Sequence, residues 1–121
     1  MKAPIPESEE KLIVDYIYID FLIKALEEDR LSVRSIPFKI PEVYESLIDE
    51  HLKRLRVDIV SARKQLRKLK IKVIGPKKVN EDFVQYGYFA HGYEGNLRFW
   101  SAAMDYKGTK ILRKYFMPNS E

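Results

Sequence analysis

The stretch PEVYESLIDEHLKRLRVDIVSARKQLRKLKIKVI, from Pro41 to Ile74, decides the fold. Proline suits a first helical position, where its missing N–H leaves no partner unmatched. From there Ile48, Leu52, Leu55, Ile59, Ala62, Leu66, Leu69 and Val73 follow one another in steps of four and three. That spacing lays them along one side of a single helix. Neither Gly nor a second Pro interrupts the run before Gly75, so one continuous helix is expected over 42–70. At about 100° per residue, Lys53, Arg56, Arg63, Lys64, Arg67 and Lys68 fall on the opposite side or its flanks. The polar back of this helix is almost wholly cationic.

Charge is distributed accordingly. The chain has 121 residues and a formal net charge of +4. Residues 1–50 hold 6 basic and 12 acidic side chains, residues 53–78 hold 11 basic and 1 acidic, and residues 79–121 hold 5 of each. A patch so strongly positive attracts phosphate polymers, an acidic protein surface, or the acidic segment of a second copy. Its eight members with the clearest claim on an anionic partner are Lys53, Arg56, Arg63, Lys64, Arg67 and Lys68 on the helix, and Lys77 and Lys78 after it.

With 45% hydrophobic and 33% charged residues, the composition is that of a globular chain, and 121 residues make one domain, 1–121. There is no Cys, which removes disulfide frameworks, thiol catalysis and thiolate zinc sites; a reducing cytoplasm is the natural setting. The N-terminal Lys2, Pro4 and Pro6 with their acidic neighbours do not form a secretory signal. Leu12 to Leu26 is the most apolar stretch, but it is too short to span a bilayer and is interrupted by Asp15, Asp20 and Lys24.

Upstream of the long helix, Glu7, Glu9 and Glu10 favour the positive end of a first helix. The body of that helix, from Leu12 to Leu26, is apolar around nearly its whole circumference and must be covered on every side. It is expected to stop near Arg30, because Glu27, Glu28 and Asp29 sit badly at a negative helix end. Val33, Ile36, Phe38 and Ile40 in the connector are expected to fold onto the core.

Downstream, Ile71–Ile74 and Phe83–Ala90 are expected to pair as an antiparallel hairpin, with Gly75-Pro76-Lys77-Lys78 forming the turn. Asn96 is expected to cap a last helix, in which Leu97, Trp100, Met104, Gly108, Ile111 and Tyr115 keep a helical period until Met117-Pro118. Ten of the fifteen aromatics follow residue 82, and most belong in the core between hairpin and last helix. The whole is an α+β fold, mostly α: an apolar N-terminal helix, a long central helix, a small antiparallel β-hairpin and a C-terminal helix. A 42–70 helix is about 44 Å long, longer than the roughly 35 Å equivalent diameter of a compact chain of this size. Elongation and an all-round apolar first helix together favour a homodimer.

This order of elements resembles the winged-helix family of DNA-binding proteins. The resemblance rests on Val57-Asp58-Ile59-Val60-Ser61-Ala62-Arg63-Lys64-Gln65-Leu66-Arg67-Lys68-Leu69, which is similar to a turn and recognition helix. It implies a break near Arg56–Asp58, with Ser61, Arg63, Lys64 and Arg67 facing DNA and Lys77 and Lys78 in the wing. Such a break would also bury Val57 and Val60, which a straight helix leaves on its cationic back.

Catalytic motifs are wanting. His51 and His91 have no metal-ligand companion at helical spacing, Glu81 and Asp82 are neighbours whose side chains diverge, and there is no phosphate-cradling glycine loop. No metal or cofactor is expected. The expected function is therefore binding: a small nucleic-acid-associated protein, with a homo-oligomeric adaptor for an acidic protein as the alternative.

Overall fold

The first helix, α1, spans Glu7–Ser32 and is followed by a 3₁₀ turn at Val33–Ser35 and the long helix α2 over Pro41–Lys68. The computed structural model describes residues 5–116. Beyond α2 come β1 (Lys72–Lys78), β2 (Phe83–Ala90), β3 (Tyr93–Trp100) and α3 (Ser101–Phe116). The expected α+β, mostly α, fold is the one observed.

Within α2 the seam is the expected one, but the helix ends at Lys68, two residues before the expected 70, so that Leu69 is exposed and Val73 belongs to β1. Leu52, Leu55, Ile59, Ala62 and Leu66 are all buried, and α2 runs without interruption through Arg56–Asp58. Val57 and Val60 stay 66% and 48% exposed, so the residues a break would have buried are on the surface. One continuous helix replaces the two that the winged-helix resemblance implies, and no turn within it sets off a separate recognition helix.

The first helix is longer than the sequence reading by two residues. Its acidic end is relieved from α2 and from within: Arg56 of α2 donates to Glu27 at 2.9 Å, and Arg30 is itself a cation in the last turn, donating across to Asp49 of α2 at 2.8 Å. Of the connector side chains, only Val33 is buried; Ile36, Phe38 and Ile40 are 47%, 40% and 58% exposed. They lie outside the core because α1 and α2 already fill the space between them with Leu22, Leu26, Leu52 and Leu55.

Two corrections concern the sheet. It has three antiparallel strands in the order β1-β2-β3, not two. Gly75-Pro76 does not turn the chain; it lies within β1 as an irregularity between Ile74 and Lys77, after which pairing resumes with Lys77 opposite Gln85 and Lys78 opposite Val84. Proline, which cannot donate to a ladder, is tolerated at such a bulge. The second hairpin turns at His91-Gly92, both with positive φ (55° and 80°), as a two-residue turn matched to strand twist requires. Tyr93–Trp100 is therefore a strand, and Asn96 pairs opposite Gly87 instead of capping a helix.

The last helix begins at Ser101, whose N–H donates to the Asp82 carbonyl at 2.7 Å. The stop expected at Met117-Pro118 lies outside the described residues. Met104 is buried, and a Cβ on Gly108 would stand 3.1 Å from both Phe21 and Leu22, so the glycine permits α3 to approach α1 closely. Ile13, Ile17 and Tyr18 of α1 share a core with Leu66, Tyr86, Tyr88 and Met104. The apolar circumference of α1 is thus met within one chain, by α2, α3 and the sheet. Among the later aromatics, Tyr86 and Tyr88 are buried, whereas Phe89, Tyr93, Trp100 and Tyr106 are exposed.

Candidate nucleic-acid interface

The end of α2 is built as a helix stop that carries charge. The Lys70 N–H donates to the Arg67 carbonyl at 3.0 Å, and the Ile71 N–H donates to the Leu66 carbonyl at 2.9 Å. This is a Schellman closure, with Leu66 and Ile71 both buried in the core. The closure needs one left-handed residue, usually Gly, and here Lys70 takes it at φ 58°. A side chain in that conformation costs roughly 1 kcal/mol. The chain tolerates this strain at a position where glycine would remove both the strain and a cation.

Around this closure lies a groove of about 520 Å³. Its floor is apolar: Tyr16 of α1, Leu66 of α2, Ile71, and Val73 of β1. Its rim is cationic: Arg63 and Arg67, one turn apart on α2, then Lys70 and Lys72. Among the described residues no carboxylate lines it, and none of the four cations makes an ion pair. Arginine and lysine at a helix C-terminus also complement its dipole, which accounts for one or two charges in the last turn, not for four around one hollow.

The cations singled out in the sequence do not form one surface. Arg63 and Arg67 enter the groove, while Lys64 and Lys68 are exposed beside it on α2. Lys53 and Arg56 border a separate shallow hollow of about 460 Å³ with Val57 and Val60, and Arg56 is paired with Glu27. Lys77 and Lys78 lie past the bulge at the far end of β1, roughly 20 Å from Lys72 at 3.3 Å per residue. Lys78 there borders a third hollow that also contains Lys24, Glu28 and Asp105. Tyr16, Lys70 and Lys72 were missed. The alternation Lys70-Ile71-Lys72 was visible, but only the closure shows that both lysines face the same side as Arg63 and Arg67.

The remaining polar contacts hold the architecture. Arg34 grips Glu45 with two N–H bonds at 2.9 and 3.0 Å, and that fork, more than any neighbouring charge, holds the Glu45 carboxyl below the usual carboxylate range. Arg30 does the same for Asp49 through its hydrogen bond. The Tyr86 hydroxyl donates to Asp20 at 3.1 Å, and Tyr115 donates to Asp58; burial first, and the facing carboxylate second, push both phenols above their ordinary value. His51 sits between the carbonyls of Leu47 (2.6 Å) and Tyr115 (3.2 Å), and His91 contacts Glu9 at 2.6 Å. Each of these groups ties one element to another. Among the described residues no three His, Asp or Glu side chains gather as metal ligands would, and no helix is long and apolar enough to cross a membrane.

Comparison with known proteins places the chain in a family. Residues 4–119 match the family described as YhjD protein, and the chain belongs to it. It is similar to the Bacillus subtilis (strain 168) protein named "Uncharacterized protein YhjD", with 28% identity over 109 residues, covering 89% of this chain and 90% of that one. No solved structure matches.

Proposed function

We propose that this member of the YhjD protein family is a non-enzymatic, cytoplasmic protein that associates with nucleic acid through the groove at the end of α2. One observation carries the reading: four cations, Arg63, Arg67, Lys70 and Lys72, ring an apolar floor with no counter-charge among the described residues. Like charges held together repel, and an anionic chain laid across them releases its condensed counterions and relieves that repulsion. Arg63 and Arg67, one turn apart, suit two successive phosphates, since the guanidinium forks match phosphate oxygens. Tyr16 offers a ring edge or face to whatever the phosphates carry. Contacts of this kind position a backbone without reading its sequence, so the expected binding is weakly selective.

Fluorescence anisotropy on labelled duplex DNA, single-stranded DNA and RNA at about 50 and 150 mM salt tests it, because counterion release makes affinity fall steeply between those two conditions. Binding in the micromolar range at low salt, lost at the higher salt, is expected. No binding to any of the three at about 10 μM protein and 50 mM salt rejects the reading, and leaves an acidic protein surface as the partner of the same cations.

A further inference from the structure

The side of α2 turned away from the core carries a second seam. Val43, Leu47, Glu50, Arg54 and Val57 recur at steps of four, three, four and three, which is coiled-coil spacing. Single exposed valines need no explanation. Here Val43, Leu47 and Val57 are 50%, 49% and 66% exposed on one side of one helix, and Val60, 48% exposed, stands at the edge of that side.

The order along the seam is self-complementary. From its N-terminal end it reads apolar residues and an acid, Val43, Leu47 and Glu50; from its C-terminal end it reads an apolar residue and a base, Val57 and Arg54, with Val60 and Lys53 on the flank. We propose that a second copy of this chain packs antiparallel on this side of α2, about a two-fold axis level with residue 52. Across that axis Leu47 of one copy meets Val57 of the other, Glu50 meets Arg54 and Lys53, and Val60 seats beside the end of the seam at Val43.

Charge decides the direction. A parallel pair would set Glu42 and Glu50 against themselves and the basic half against itself, and such like-charge oppositions are costly. The antiparallel pair sets each acidic half against a basic one. Arg54 gives one N–H to the Tyr115 carbonyl at 3.0 Å and has four more to offer. An isologous contact of this kind closes after two copies. It also leaves both cationic grooves open: residues 63–67 lie about 13 positions from the axis, so the two grooves stand about 40 Å apart at 1.5 Å per residue. The interface does not depend on what the grooves bind.

Sedimentation velocity on the full chain at about 50 μM gives the first test, with a dimer expected. Val57→Glu should weaken dimerisation at least thirtyfold while leaving the far-UV circular dichroism unchanged, because in a single chain this side chain is already mostly in water. Direction is read by crosslinking, for which the absence of native Cys leaves a clean background. Under mild oxidation the doubly substituted Leu47→Cys/Val57→Cys chain should form covalent dimers. Its two thiols are about 15 Å apart within one chain, too far to close on each other. Val57→Cys alone should crosslink poorly, since the two copies of that position are also about 15 Å apart. A monomer at 50 μM, a Val57→Glu variant that dimerises as well as the parent, or Val57→Cys crosslinking as fast as the double variant overturns the proposal.

Discussion

The two ends of α2 handle charge in opposite ways. Near the connector, Arg30, Arg34, Glu45 and Asp49 form a closed set of ion pairs, with Arg56 joined to Glu27 one side away. At the far end Arg63, Arg67, Lys70 and Lys72 surround a groove that no carboxylate among the described residues lines. Both ends rest on the same buried seam, so the difference is not one of packing. It teaches that a net positive helix need not be a binding helix along its whole length: cations paired within the fold hold the helical hairpin together, and only unpaired ones are free to receive a ligand.

Weakening the shared seam should lower stability without touching the distinction. Leu55 is completely buried between the two ends, and Leu55→Ala should destabilise the protein by about 2–5 kcal/mol, read as a lower chemical-denaturation midpoint. At temperatures where the variant is still folded, its nucleic-acid affinity should match the parent's. A binding loss that exceeds the unfolded fraction would show that the seam itself contributes to the interface.

Charge reversal separates the ends. Arg63→Glu/Arg67→Glu should weaken duplex binding about a hundredfold, or roughly 2.7 kcal/mol, with the thermal midpoint unchanged, because both side chains are exposed and unpaired. Lys70→Gly should act in both directions at once. Stability should rise by about 1 kcal/mol as the left-handed strain is relieved, while duplex affinity falls a few fold. A Lys70→Gly protein less stable than the parent would mean that the lysine has a structural partner in solution.

The paired end should show the smallest and most pH-sensitive effect. Glu45 and Asp49 titrate below their ordinary range because arginine donors stabilise their ionised forms. A depressed folded-state value contributes stability that is full above the unfolded value and fades as pH falls through the folded one. Thermal midpoints should therefore decline as pH drops below about 4, and Glu45→Gln should flatten that decline and lower the midpoint at pH 7 without changing nucleic-acid affinity. An acid transition identical in the variant would remove Glu45 from the account.

Much of this was legible in the chain. Pro41, the four-three spacing from Ile48 to Leu66 and the missing breakers were sufficient for α2, since a single helix obeys a local period. What misled was signals that two structures share. A Gly-Pro pair marks a turn and also marks a bulge, and only β2 lying opposite distinguishes them. Leu97, Trp100 and Met104 fit a helical step across what is in fact a strand–helix junction, whereas the alternation of exposed Asn96 and Arg98 with half-buried Leu97 and Phe99 carried the strand signal. Of the candidate site, Arg63 and Arg67 were readable from charge on α2. Tyr16 was not, because an all-round apolar helix gives no hint of which side will border a groove. Lys70 and Lys72 depended on how the helix closes.

The most direct test of the central claim is the salt dependence of duplex binding, measured by anisotropy from 50 to 200 mM salt for the parent, for Arg63→Glu/Arg67→Glu and for Glu45→Gln. If the groove's four cations engage phosphates, the logarithmic slope should approach about −3.6, at −0.9 per phosphate. It should fall by about 2 in magnitude for the groove variant and stay unchanged for Glu45→Gln. A slope near zero for the parent, or one that the groove reversal leaves intact, would contradict the account.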